Sequence, residues 1–278
     1  MSLMDIIIFF LPPFVACIAL VGIHAYLGIH VIEREIIFID IALAQIAAVG
    51  ATMAHIFWHA EENSLLVYLF SLGFTILAAL FFTQVKKRVK QISQEAIIGV
   101  TYAIAAAGAL FIFSLAAGSD VHMEHMLTGS ILWAKWNYIL LCASVYASVG
   151  LFHYIFREKF LKVTRDYEGA IKQGIKVELW DFLFYLSVGI VVTLAVSIAG
   201  VLVVFALLVI PATISAMYST NWARRLWIAY GISIVASILG LAFSYVFDFS
   251  TGPSVVMFLG LALIFSALAT LWRRQASV

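Results

Sequence analysis

Charge is what this chain has least of. Of its 278 residues 11% are Asp, Glu, Lys or Arg, against 64% hydrophobic, and the mean hydropathy is +1.09. A water-soluble domain of this length needs a charged surface, and these residues cannot supply one. A net charge of +1 argues against a generally basic, nucleic-acid-binding chain. Only two cysteines occur, Cys17 and Cys142, in separate apolar runs, so neither a disulfide framework nor a CxxC metal site is available. They read as small buried apolar residues. There is no GxxxxGK[ST], and no hydrophilic stretch long enough for a soluble fold, so the chain does not bind and hydrolyse a nucleotide by itself. There is no HExxH either, which removes the common zinc-hydrolase signature. The start, Met1 to Asp5, lacks a basic n-region, and the first apolar run continues past residue 25. It reads as a retained membrane helix, with a break expected at Pro12-Pro13.

What is present is a series of long apolar runs, at roughly 6–29, 36–58, 64–84, 96–117, 137–156, 180–197, 200–219, 226–247 and 254–272. A crossing needs about 20 such residues. Every backbone group in lipid must be satisfied within its own segment, so the fold class is all-α, a polytopic membrane helix bundle of about nine transmembrane helices. The count falls to eight if 180–219 is a single crossing. Two short crossings separated at Ser197-Ile-Ala-Gly200 fit better, since about 40 residues at about 1.5 Å each would span twice a bilayer.

Lys and Arg set the orientation. With nine spans and an outside N-terminus, Arg34, the cluster Lys86 to Lys90, the loop Arg157 to Lys176, Arg224-Arg225 and Arg273-Arg274 all face the cytoplasm, and only Lys135 does not. The outer face then carries His59 to Glu62, the loop Gly118 to His125, and Asp248 to Pro253.

Several polar residues stand out against this background. Asp40 is an acid in the first turns of an apolar span, where a carboxylate faces a cavity or a partner or is held by the helix dipole. His55 and His59 are spaced i, i+4, which on a helix puts both imidazoles on one face as a metal pair or as C-terminal caps. Asp120, His122, Glu124 and His125 crowd one outer loop with potential oxygen and nitrogen ligands, suited to a transiently held cation or to docking a partner. His24, His30 and His153 sit near span ends and are expected to satisfy interfacial hydrogen bonds. Glu95 opens the fourth span as a first-turn acid. Pro211 removes a backbone hydrogen bond inside an apolar span, and such a kink can line a pathway. The longest inner stretch, 157–179, contains a short amphipathic helix candidate from Asp166 ended by Gly174.

Glu168-Gly-Ala170, three residues and then Gly174 resemble the E-A-A-x-x-x-G coupling loop of ATP-binding-cassette (ABC) importer permeases. Further segments resemble the branch of that class importing zinc, manganese or iron(II). Gly200-Val-Leu-Val-Val-Phe-Ala-Leu-Leu-Val-Ile-Pro211-Ala-Thr is similar to G-V-L-L-V-x-A-L-L-V-I-P-A-A, and Asp248-Phe-Ser-Thr251-Gly252-Pro-Ser-Val-Val to D-L-P-T-G-x-x-I-V. Gln94-Glu95-Ala-Ile-Ile-Gly99 resembles E-D-x-x-I-G, His125-Met-Leu-Thr-Gly129-Ser-Ile-Leu resembles H-x-L-F-G-x-I-L, and Ala42-Leu-Ala-Gln45-Ile-Ala-Ala-Val-Gly50 resembles A-L-S-H-x-x-L-P-G. The matches run in order over roughly 40–260. One departure concerns the metal: the family carries Asp and His four apart in the last motif, whereas here Gln45 takes the His place, Ile41 the Asp place, and Asp40 stands one earlier.

The resemblance implies a single transmembrane permease domain over 1–278 with 157–179 as its cytoplasmic coupling loop, in a bacterial cytoplasmic membrane. It implies a second copy of the chain, a cytoplasmic ATPase dimer that carries out the hydrolysis, and an extracytoplasmic metal-binding protein, with no nucleic acid among its partners. The chain is then a transport subunit rather than an enzyme. No cofactor is held permanently, and the cargo is a divalent ion: zinc first, from the outer histidines, then manganese or iron(II). The candidate sites are Asp40, Gln45, His55, His59, His122, Glu124 and His125 for metal, the His55–His59 pair on its spacing alone and not on the resemblance, with Glu168, Ala170 and Gly174 for coupling and Glu95, Pro211 and Asp248 for pathway or gate. The rival class is a stand-alone secondary transporter or channel, which predicts charges at mid-span and inverted halves. A membrane enzyme is a third, and it lacks a catalytic cluster.

Overall fold

A computed structural model describes residues 3–60, 64–114 and 131–275. Its helices are α1 (Leu3–Glu33), α2 (Ile39–Trp58), α3 (Leu65–Arg88), α4 (Gln94–Ser114), α5 (Trp136–Ile155), α6 (Arg157–Arg165), α7 (Tyr167–Lys172), α8 (Val177–Ala199), α9 (Val201–Tyr218), α10 (Trp222–Phe247) and α11 (Thr251–Gln275), with one 3₁₀ turn at Ile131–Trp133. Among the described residues nine of these are long and apolar enough to cross a membrane, all but the short α6 and α7.

The span boundaries lie where the charge gaps place them. The junction in the ambiguous stretch is Gly200, whose φ of +78° no side-chain-bearing residue adopts readily, so α8 and α9 are separate helices. The break expected at Pro12-Pro13 does not occur. α1 runs through both prolines, which apolar spans tolerate although each lacks its N–H and crowds the carbonyl four residues earlier. Ser64 and Asn221 open α3 and α10 by accepting the N–H groups of Val67 and Arg224.

The helices sort into two compact units. The first holds most of α1, the part of α5 up to Ser148, the end of α8 from Ala195, and α9 to α11. Here α9, α10 and α11 pack on one another. A Cβ at Gly28 of α1 would run into the Leu208 carbonyl of α9, so these two backbones meet through a glycine. The second unit holds Glu33, Arg34 and the rest of the α1–α2 connection, then α2, α3, α4, the last turns of α5, α6, α7 and α8 up to Leu194. In it α2 packs on both α3 and α4.

Hydroxyls within the spans turn back on their own helices: Thr52 donates to the Ala48 carbonyl, Thr75 to Ser71, Thr193 to Gly189 and Thr213 to Val209. That is how a polar group is satisfied where water is absent. Outward-facing positions are large and apolar, among them Leu77, Ile104, Leu140, Val246 and Phe265, the pattern of a surface solvated by lipid.

Candidate functional site

The basic loop after α5 is more ordered than a connector. α6 buries Phe160 and Val163, with Phe160 stacked on His153 at 3.9 Å between ring centroids. Asp166 then ends α6 and caps α7, its carboxylate accepting the Gly169 N–H at 2.9 Å while Lys162 bonds the other oxygen at 2.6 Å. These two contacts, Lys162 first, hold the Asp166 carboxyl below its ordinary range. A Cβ at residue 169 would collide with that carboxylate, which explains why Gly169 stands where the importer motif has alanine. The other end closes as a Schellman motif: Gly174 has φ +74°, its N–H bonds the Ile171 carbonyl, and the Ile175 N–H reaches back to Ala170. Between the two caps Ala170 is fully buried, and Glu168 and Gly174 are exposed.

Beneath this segment lies a buried ion cluster that the sequence reading missed. Asp181, in the first turns of α8, receives Arg34 on Oδ1 at 2.7 Å and Lys86 on Oδ2 at 2.7 Å. The Arg34 and Asp181 side chains are 3% and 1% exposed. Arg34 also donates to the Thr164 hydroxyl of α6 at 2.9 Å and lies 4.0 Å from the Phe184 ring centroid. Tyr167, the first residue of α7, hydrogen-bonds Asp181 and puts its ring 4.2 Å from the Lys86 ammonium. Burial, and then the Asp181 charge, push the Tyr167 phenol well above its ordinary range, so the hydroxyl remains a donor. One turn further along α8, Tyr185 accepts the Gln94 amide at 2.6 Å. An aspartate directly after Trp180 in an apolar run was the available signal, but its partners are scattered along the chain, Arg34 lying 147 residues away.

Gln94 is followed by Glu95. One Glu95 oxygen is buried without a hydrogen bond, while the carboxylate faces the Ile37 and Phe38 backbone amides before α2. Asp40, in the first turn of α2, is 1% exposed. Neither of its oxygens makes a well-formed hydrogen bond; its own N–H and that of Ile41 are the donors facing it. Glu95 lies near enough to act on it electrostatically. A buried acid without well-formed hydrogen bonds beside a half-buried one forms a place where a cation is stabilised and an anion is not. Gln45, half-buried, is five residues on from Asp40 in α2, about 140° around the helix.

The remaining candidates do not converge in this way. His59 lies outside the helix face expected for it. It is the C-cap of α2 with φ +50°, and His55 Nδ1 bonds the Ala60 carbonyl at 2.8 Å, so the pair is a helix ending. His122, Glu124 and His125 lie outside the described residues. Pro211 is buried in α9, which continues past it to Tyr218. Asp248 is the exposed C-cap of α10 with φ +55°, and the turn it begins is tied by Ser244, whose hydroxyl donates to the Phe249 carbonyl at 2.6 Å and meets Thr251 at 3.0 Å. His24, His30 and His153 are all buried within the protein, His30 and His153 in the last turns of their helices. His24 bonds the Leu20 carbonyl at 2.7 Å, and His30 the Tyr26 hydroxyl at 3.0 Å. Among the described residues no three His, Cys, Asp or Glu side chains gather as a metal cluster.

A model of the ABC 3 transport family matches residues 7–270. The chain belongs to that family. It is 26% identical over 203 residues to the manganese transport system membrane protein MntC of Listeria monocytogenes, covering 68% of this chain and 70% of that one. To the manganese transport system membrane protein MntB of Synechocystis it is 26% identical over 217 residues, covering 74% and 69%. The solved structure of PsaBC from Streptococcus pneumoniae in complex with Fab superposes with a TM-score of 0.80 at 21% identity, over 95% of this chain and 93% of that chain, and shares the fold. With its nine apolar helices among the described residues, this ABC 3 family member is a multi-pass bacterial membrane protein.

Proposed function

We infer that this chain is the transmembrane permease subunit of an ATP-driven importer of divalent transition-metal ions. The observation that carries the reading is Asp40, a fully buried carboxylate without well-formed hydrogen bonds, beside Glu95 in a transport-family bundle. Such acids are costly in a membrane protein unless a cation passes them. The few oxygen donors, Asp40, Glu95 and the Gln45 amide, suit a pathway that must release its ion. They favour harder cations, so manganese and iron(II) move ahead of zinc. The names of the two manganese-transport relatives support the same order.

The whole chain is read as one permease domain with 157–179 as its coupling loop. The exposed Glu168 of α7 meets the cytoplasmic ATPase, buried Ala170 anchors the segment, and Gly174 ends it. A second copy completes the pathway. An extracytoplasmic binding protein delivers the ion to the outer ends, where His122, Glu124, His125, His55 and His59 receive it, and Pro211 and Asp248 shape the route. The test is the metal content of cells expressing the chain with its ATPase and binding protein. Accumulation of manganese or iron(II) that disappears when the ATPase is inactivated is expected. A complex that assembles and hydrolyses ATP but accumulates no divalent metal would discard metal as the cargo.

A further inference from the structure

The Asp181 cluster asks for a reason to exist. A buried ion pair is no more stabilising than well-packed apolar residues of the same volume, so stability alone does not account for two cations and a carboxylate here. What such a cluster supplies is direction, because apolar surfaces can slide and short charged hydrogen bonds cannot. Through three partners Asp181 joins four segments: its own α8, the α1–α2 connection by Arg34, α3 by Lys86 near its end, and α7 by Tyr167 at its head. Arg34 adds a fifth through Thr164 of α6. The cluster therefore grips the coupling segment at both of its short helices. Its other arms end beside the two acids. Arg34 opens the short connection that leads to Asp40 in the first turn of α2, and Tyr185 holds Gln94, the residue before Glu95.

We propose that Asp181 is a positioning residue for transport, which makes the α6–α7 segment and the elements bearing Asp40 and Glu95 move together. Displacement of that segment by the ATPase is thereby delivered to the acids. Asp181 does not touch the ion; it sets where Arg34, Lys86, Thr164 and Tyr167 stand. This rests on the permease reading above.

The gentlest test is Tyr167→Phe, which removes one hydroxyl and keeps the ring under Lys86. Thr164→Val removes a second tie, and Asp181→Asn removes the hub. The complex with its ATPase is reconstituted in vesicles, and Mn²⁺ uptake and ATP hydrolysis are measured together. The variants are expected to keep the ATPase and hydrolyse ATP, while Mn²⁺ moved per ATP falls about two- to thirtyfold, the range of residues that couple sites without touching a ligand. Asp181→Glu should recover part of the loss. If Asp181→Asn fails to assemble, Tyr167→Phe decides alone. An unchanged Mn²⁺-to-ATP ratio in Tyr167→Phe overturns the proposal, and so does loss of ATPase binding, which would make Tyr167 a docking residue. Failure of the cargo reading looks different: the wild-type complex hydrolyses ATP and moves no Mn²⁺. A cysteine at Gln45 then reports the same coupling through ATP-dependent labelling. Loss of that dependence in Tyr167→Phe supports the proposal, and its retention overturns it.

Discussion

A helix bundle has no structural need for Asp40. Replacing it with asparagine keeps the shape and removes a buried charge whose oxygens are poorly bonded. The fold should be as stable or more so, because the desolvation cost of the carboxylate disappears. Transport should fall at least about tenfold, the equivalent of about 1.4 kcal/mol of lost cation stabilisation. Melting temperature and Mn²⁺ uptake measured on one preparation separate the two roles, since a structural acid would lose both together. Glu95→Gln should behave alike, with a smaller loss because that side chain is less buried. Both acids were legible in the sequence as isolated carboxylates opening apolar runs. Asp181 was not, because its meaning lies in Arg34, Lys86 and Tyr167, brought in from distant segments. The histidine pair takes its capping form for a local reason. The spacing of His55 and His59 is helical, but α2 ends at Trp58, one residue too soon.

At the scale of elements, α7 poses a problem that its ends solve. Six residues are far too few for a helix to hold in isolation. Asp166 and the Gly174 turn close it, and Ala170 fixes it from below. Gly174→Ala forces a side chain into left-handed backbone at a cost of about 1–2 kcal/mol. Faster proteolysis between Arg157 and Lys176, with weaker retention of the ATPase, is the expected result. The Asp166 cap also carries a pH signature. Its carboxyl is held below the ordinary value of 3.8, so its contribution is complete above that value and is lost as pH falls through the lowered one. Protection of the Gly169 amide against hydrogen exchange, corrected for intrinsic rates, should therefore drop below about pH 4 in the wild type. In Asp166→Asn, where the amide oxygen caps without titrating, it should stay level. A wild-type profile as flat as the asparagine variant's would remove the carboxylate from the cap. The sequence foresaw α7 through Asp166 and Gly174, yet not the continuous α1, because proline preference is written for helices in water rather than in packed or lipid surroundings.

For the whole molecule, the spans were legible because lipid imposes one rule on every one of them, and their ends fall within a few residues of where the charges begin. The side on which each loop lies is set by a separate feature, the distribution of Lys and Arg, and it can be tested without function. With Gly200 dividing α8 from α9, the loop at Lys172 and the loop at Thr220 are two crossings apart and face the same side. If 177–218 crossed once, they would face opposite sides, and Arg224-Arg225 would lie outside, against the charge rule. Cys17 and Cys142 are both buried, so each site can be given a lone accessible cysteine. Lys172→Cys and Thr220→Cys, both at exposed positions, should resist a membrane-impermeant maleimide in intact cells and react once the cells are opened. Lys135→Cys should react in intact cells. Labelling of Thr220→Cys from outside, with Lys172→Cys still protected, would mean one crossing fewer, and a C-terminal half oriented opposite to the one drawn from its arginines.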